Sequence, residues 1–236
     1  MFRTRIRSFT MKGILLDIEG TTTPISFVYD VLFPYARAHV SENLSAEDIA
    51  DLRLSYETDL RNGFSPPAWS DAPVDYVHWL MDQDRKSTAL KNLQGKIWLT
   101  GYQHGALHGE VFKDVPVALE RWHEAGIDVR IYSSGSKLAQ RLLFSTTNYG
   151  DLTKFLNGYF DTTTGPKIEA ESYAVIGRAF GCNPGEILFV SDVVKELDGA
   201  RSAGMQTALC IRPGNHPQLP GTHHTISSFE EIGSGK

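Results

Sequence analysis

Cysteine is almost missing from this chain: among 236 residues only Cys182 and Cys210 are present. Two thiols make no disulfide framework, and neither stands in a Cys/His cluster with zinc-site spacing. A thiolate metal centre is therefore excluded, and a reducing, cytoplasmic setting is expected. Long apolar runs are missing too. No stretch approaches the roughly 20 residues of a membrane span, so no membrane partner is expected. A basic excess is also lacking, since the net charge is −5. No nucleic-acid partner is expected, and the charge of an anionic substrate must be met by local groups. Internal repeats, low-complexity blocks and charge runs are absent. The first ten residues carry Arg3, Arg5 and Arg7 but no apolar segment, so they are not a secretory signal. Residues 1–10 are expected to be a disordered extension, with Met11 as the effective start.

What is present fits a folded domain. Hydrophobic residues make up 41% of the chain, enough for a proper core. The length suits one large domain, or a core with a smaller insert. The most informative stretch is Ile14-Leu-Leu-Asp17-Ile-Glu19-Gly20-Thr21-Thr22. A short apolar run of the kind found in buried parallel strands stops at two acids, one residue apart. Open α/β sheets bind ligands at the carboxyl ends of their strands. Taken alone, these acids can equally cap a turn, because Gly-Thr-Thr is ordinary turn chemistry.

Three further segments resemble that strand: 127–133, ending in Ser133-Ser134-Gly135; 187–191, ending in Asp192; and 206–211, ending in Arg212-Pro213-Gly214. Each follows a segment with apolar residues at helical spacing. Residues 115–125, 168–180 and 193–203 read as helices, each stopped by a glycine of the kind found just past a helix. Strand and helix thus alternate, and the fold class predicted is α/β with a doubly wound parallel sheet. Residues 27–110 break the rhythm. There 27–40, 46–61 and 74–93 read as helices and no strand is evident. A helical cap inserted after the first strand is expected, leaving 11–26 and 111–236 as the core.

Asp17, Glu19, Ser133, Lys167 and Asp192 all fall at strand ends or in loops on one edge of such a sheet. Together they suggest phosphoryl transfer with Mg²⁺, a hard cation that takes one or two carboxylates plus water and phosphate oxygens. Asp17 and Asp192 supply those carboxylates, and Asp17 can act as a nucleophile forming an aspartyl phosphate. The Ser133 hydroxyl and the N–H groups near Gly135 can hold the transferring oxygens. Lys167 can neutralise charge. Each residue also has a plainer reading. The Ser133–Ser136 stretch can be a loop and helix cap, Lys167 a solvated lysine, and Asp192 the N-cap of the following helix. Glu196, one turn further on, can reach the same site or a nearby amine. All these plain readings would have to place polar groups on one edge by accident.

An acid ending a strand, an acid two positions on with Gly20-Thr21 following, a serine ending the next core strand, a later lysine and a final acid pair form four motifs. Here they are Asp17-Ile-Glu19, Ser133, Lys167, and Asp192 with Glu196. In this order they resemble the haloacid dehalogenase-like hydrolases. The strings LLDIEGTTTPISFVYDVLFPYA, IYSSGS, KIEAESY, ILFVSDV and IRPGN are similar to the enolase-phosphatase family of methionine salvage within them. Most of the superfamily's phosphatases carry Asp where Glu19 stands; this family carries Glu. The resemblance implies an Mg²⁺-dependent enzyme with two steps. It would enolise 2,3-diketo-5-methylthiopentyl-1-phosphate and then dephosphorylate it to an acireductone. Asp17, Glu19 and Asp192 carry over as the metal site, Asp17 and Glu19 as catalytic groups, and Ser133, Ser134 and Lys167 as substrate binders. Gly20, Thr21, Gly135 and Glu196 support them.

Several matters stay open at this level. Glu19 can touch the metal through its carboxylate or its carbonyl. Phe27, Trp79 and Trp98 can line a lid over the thioether end or be plain core. Arg85 and Lys86 can meet the dicarbonyl or form a solvated helix face. His104 and His108 are four apart without a third ligand nearby and read as ordinary. A monomer is the working expectation, although no residue pattern bears on assembly. The rival functions are a sugar-phosphate phosphatase or mutase of the same superfamily, a receiver-like phosphorylation switch, and a scaffold without catalysis.

Overall fold

The structure, a computed structural model, describes residues 11–85 and 87–233. The expected extension at residues 1–10 and Lys86 lie outside these. The chain divides into two compact units: one runs to Val28 and resumes at His108, the other is Tyr29–Leu107. No helix among the described residues is long and apolar enough to cross a membrane.

The second unit is helical. A π-type turn over Phe27–Leu32 leads into it, followed by α1 (Phe33–Ala38), α2 (Val40–Asn43), α3 (Ala46–Arg61), α4 (Val74–Asp82) and α5 (Thr88–Gln103). Leu52 and Tyr56, Tyr76 and Leu80, and Leu90, Leu93 and Ile97 recur at helical spacing and form one buried cluster. Two expectations need correction. The helix expected over 27–40 is interrupted, because Pro34 has no amide hydrogen to donate back one turn and the backbone breaks again at His39. The helix expected over 74–93 is two helices. Asp84 turns the chain at φ +45°, and Ser87 caps the second helix by accepting from the Leu90 amide at 3.3 Å. Arg85 is no solvated helix residue: it donates to Asp59 at 2.5 Å and lies 3.9 Å from the centre of the Phe64 ring. Trp98 donates to the Leu32 carbonyl at 2.9 Å, and Trp79 stacks on Tyr76.

The first unit holds six parallel strands: β1 (Gly13–Leu16), β2 (Asp128–Tyr132), β3 (Gly158–Phe160), β4 (Ile187–Ser191), β5 (Gln206–Cys210) and β6 (His224–Ile226). Their order is β3-β2-β1-β4-β5-β6. The helices are α6 (Asp114–Glu124), α7 (Lys137–Ser145), α8 (Ala170–Phe180) and α9 (Val194–Ser202). Leu15 and Phe189 pack with Tyr173, Ile176, Leu197 and Ala200. Alternation sends Ile14, Leu16, Leu188 and Val190 to the opposite face, so β1 and β4 are buried at every position. That is why both read as unbroken apolar runs.

Register places the chemistry. Leu16 pairs with Ile131 on one side and Val190 on the other. One residue on, the Asp17 amide still donates to the Val190 carbonyl at 3.0 Å, so Asp17, Ser133 and Asp192 leave the sheet within a residue of each other. The chain runs from β1 to β2 on one flank, while β4 lies on the other. The carboxyl end of β1 is therefore a topological switch point, where open sheets hold ligands.

Helix α9 closes in tightly behind this edge. A Cβ on Gly199 would lie 2.8 Å from the Ile168 carbonyl oxygen and 3.1 Å from the Tyr173 ring. At Gly177 in α8 a Cβ would meet nothing nearer than 3.6 Å. Alanine at Gly177 is expected to stabilise the protein by up to about 1 kcal/mol through helix propensity. Gly199→Ala is expected to lose stability on balance, with overpacking of about 1–3 kcal/mol outweighing the same gain. Urea unfolding of the two variants checks this; equal stabilisation by both would show that α9 is not held at contact distance.

Candidate active site

Asp17 follows β1 directly and is buried. Its backbone begins a tight turn in which the amides of Thr21, Thr22 and Thr23 all donate to the Ile18 carbonyl, at 3.2, 2.9 and 2.9 Å. Gly20 completes the turn at φ +69°, a region side chains avoid. The Thr22 hydroxyl bonds back to the Asp17 carbonyl at 3.1 Å. The two carboxylate oxygens of Asp17 differ. Oδ1 receives the Lys167 ammonium at 2.5 Å, whereas Oδ2 receives a long bond of 3.4 Å from the Thr21 hydroxyl.

Lys167 is not the solvated lysine of the plain reading; it is 9% exposed. Three hydroxyls hold the loop that carries it. Tyr132 donates to the Gly165 carbonyl at 2.9 Å, Ser172 to Pro166 at 2.8 Å, and Tyr173 to Lys167 itself at 2.6 Å. The ammonium also meets Glu196 Oε2 at 2.7 Å, and that oxygen accepts from Ser191 at 3.0 Å. Glu196 thus reaches the amine, one of its two expected roles. Asp192 does not cap α9, because Val193 occupies the cap position without a side-chain bond. Instead Asp192 Oδ2 lies only 2.4 Å from where a Cβ on Gly20 would sit. Only glycine admits that carboxylate beside the turn.

The charges do not balance. Burial works against the Lys167 cation, yet Asp17 and Glu196 together hold its pKa above the ordinary lysine value. Burial raises Glu196, with Lys167 opposing and Asp17 adding to the rise. Asp192 is pushed up to about 7, first by burial and then by Asp17 and Glu196. Three carboxylates share one ammonium here. The oxygen donors and the surplus negative charge fit a hard divalent cation. So does the Asn215 side-chain oxygen: it is buried, accepts no hydrogen bond among the described residues, and would lie 2.9 Å from that same Gly20 Cβ.

Ser133 and Ser134 stand at the end of the neighbouring strand. The Ser133 hydroxyl accepts from the Gly135 amide at 3.4 Å, and Ser134 is exposed. Gly135 is uncrowded: a Cβ there would meet only Ser133 Oγ, at 4.0 Å. Ser136, not Ser133, caps α7, accepting from Ala139 at 3.2 Å. Glu19 is half-buried, and its backbone bridges to Thr23 within the turn. Direct contacts therefore join Asp17, Lys167 and Glu196, with Asp192 at the adjoining turn and the serines one strand away. Several supporting residues were not singled out from the sequence. Buried Gln140 donates to the Gly135 and Phe160 carbonyls, both at 2.8 Å, and so fixes the serine loop. Ser191, Tyr173 and Asn215 were not singled out either, and Arg212 was noted only as a strand end. All four lay within the quoted strings, Ser191 in ILFVSDV, Tyr173 in KIEAESY, and Arg212 and Asn215 in IRPGN, but nothing in the strings marked their contacts.

The sequence model for haloacid dehalogenase-like hydrolases matches residues 11–204. Enolase-phosphatase E1 of Synechococcus elongatus is 48% identical, over 93% of this chain and 96% of its own length. This chain belongs to the enolase-phosphatase family of the haloacid dehalogenase-like hydrolases. A probable bifunctional methylthioribulose-1-phosphate dehydratase/enolase-phosphatase E1 of Sorghum bicolor is 51% identical over 94% of the chain. The chain spans 47% of that protein, so about half the length of the plant relatives it matches. Among solved structures, the UTR4 protein of Saccharomyces cerevisiae aligns with a TM-score of 0.76 at 34% identity, covering 94% of this chain and 100% of its own. CbbY of Rhodobacter sphaeroides, in complex with xylulose-1,5-bisphosphate, has a TM-score of 0.61 at 15% identity, over 94% of this chain and 96% of its own, a likeness of fold alone.

Removing the shared Lys167 cation should leave Asp17 and Glu196 buried without their ion-pair partner. Lys167→Met is expected to cost about 3–5 kcal/mol of folding stability. Adding Glu196→Leu should recover part of it, since one buried charge then goes as well. Denaturant unfolding of the single and double variants measures both terms. A double variant less stable than the single one would mean that Glu196 is held by other partners.

Proposed function

We propose that this chain catalyses the enolase-phosphatase reaction, converting the diketone phosphate to an acireductone and phosphate. The observation that carries the proposal is the asymmetry of Asp17. One oxygen is bound to Lys167, and the other, with a single long bond from Thr21, is available to a phosphorus atom. The names of relatives near half identity support the same reading. Asp17, Glu19 and Asp192 would hold Mg²⁺. When bound, the cation polarises carbonyl and phosphoryl oxygens and offsets their charge.

The residues divide the work as follows. Ser133, Ser134 and the amides near Gly135 bind the phosphate and orient the substrate. Glu19 takes the carbon-bound proton beside the carbonyl, giving an enolate whose former carbonyl oxygen takes a proton from water and becomes the enol; its arm is one methylene longer than that of the usual aspartate. Asp17 Oδ2 then forms a bond to phosphorus as the bond to the substrate oxygen breaks. The leaving enolate carries off the electron pair and receives a proton from Glu19 or water. Water finally attacks the aspartyl phosphate, releasing phosphate and restoring the carboxylate. Lys167 holds Asp17 in place through Oδ1. A cytoplasmic monomer acting on a small phosphorylated diketone, without nucleic acid or membrane, completes the proposal.

The test follows enol absorbance and phosphate release together, with the diketone phosphate and with or without Mg²⁺. Both signals should appear only with the cation. Equal turnover of generic sugar phosphates without enolisation would replace this reading with that of a general phosphatase. Asp17→Asn should abolish phosphate release, since an amide cannot form the acyl phosphate. Glu19→Asp should lower enolisation by about a hundredfold, the lower range for a positioned acid–base group. It should lower phosphate release much less; equal losses would remove any separate role for Glu19.

A further inference from the structure

Asn215 lies beyond β5 in a loop that the catalytic scheme does not use. Its amide nitrogen donates to two carbonyls, Gly20 at 2.9 Å and Cys210 at 3.2 Å. Two acceptors facing that nitrogen fix which way the carboxamide points. The oxygen Oδ1 must face away from them, and it is buried without a hydrogen-bond donor among the described residues. A buried acceptor left unmatched costs about 1–3 kcal/mol, so it calls for a partner. Its surroundings indicate what kind. A Cβ built on Gly20 would lie 2.9 Å from Asn215 Oδ1 and 2.4 Å from Asp192 Oδ2. Two oxygens, one of them a carboxylate's, therefore flank the same point with no side chain between them. Oxygen acceptors gathered on one side of a turn, one of them a carboxylate's, are the donor set that a hydrated hard cation takes.

We propose that Asn215 is a further residue of the divalent-cation site, its Oδ1 holding the hydration shell of the ion bound by the adjoining acids. The proposal rests on the Mg²⁺ reading above. The tether to Gly20 alone would not require this residue. Arg212, three positions earlier, already fixes the same turn: its Nε donates to the Thr21 carbonyl at 3.2 Å, while Nη1 donates to Asp114 at 3.0 Å and to the Ser227 carbonyl at 3.0 Å. Loss of Asn215 should therefore leave the turn folded and the cation poorly held.

Calorimetric titration of MgCl₂ into the full chain, without substrate, separates the possibilities. The wild type should bind saturably and Asp192→Asn should not. Asn215→Ala should bind about 10–100-fold more weakly, as expected when a partner of a metal's surroundings is removed. A Mg²⁺ dissociation constant within threefold of wild type for Asn215→Ala would overturn the proposal and reduce Asn215 to a tether. If the wild type itself does not bind Mg²⁺, or Asp192→Asn binds equally well, the reading of the cation site fails first and takes this one with it. Should Asn215→Ala not fold, Asn215→Ser takes its place under the same two thresholds.

Discussion

The Lys167 ammonium, buried between Asp17 and Glu196, is the interaction around which the site is arranged. Taking an ammonium out of water costs several kcal/mol, and two charged partners in good geometry offset that cost. The arrangement works only if three separate parts of the chain arrive at fixed places: the end of β1, the loop before α8 and the first turn of α9. Each has its own restraint. Sheet register fixes Asp17, hydroxyls from Tyr132, Ser172 and Tyr173 fix the lysine loop, and Ser191 fixes Glu196. Gly199 lets α9 come close enough for the last contact. The core packing behind the sheet thus serves the geometry of a single cation.

Much of this was legible in the sequence, for identifiable reasons. Strands β1, β2, β4 and β5 showed because buried parallel strands are apolar at nearly every position and end sharply at polar residues. Helices α6, α8 and α9 showed because a glycine follows each closely. Strands β3 and β6 did not, being three residues long at the edges of the sheet, too short for any period to appear. The helix break at Asp84 was hidden because a non-glycine residue with positive φ carries no mark in composition, and Ser87 reads as a cap only once the break is known. Acids at strand ends could be located, but their partners could not. That Glu196 pairs with Lys167, while Asp192 turns instead to Gly20, depends on side-chain directions that spacing does not encode. Gln140 was invisible for the same reason: a buried glutamine tying two loops looks like any helical glutamine.

Assigning each acid a separate surrounding also explains how one site can contain three of them. Like charges packed together raise each other's pKa until one takes a proton. Here Glu196 is matched by Lys167, and Asp17 shares the same cation through one oxygen only. Asp192 sits at Gly20 and makes no ion pair among the described residues, and burial together with Asp17 and Glu196 raises its pKa to about 7. The surplus therefore gathers at the Gly20 turn beside Asp192, not around the lysine. A divalent ion entering there would restore ionisation of Asp192. It would leave the Lys167 pair undisturbed, so the framework that orients Asp17 need not reorganise when the cation comes or goes. On the proposed reading, the permanent cation holds Asp17 through Oδ1 while an exchangeable one would answer the charge of Asp192, so the two need not compete for one carboxylate oxygen.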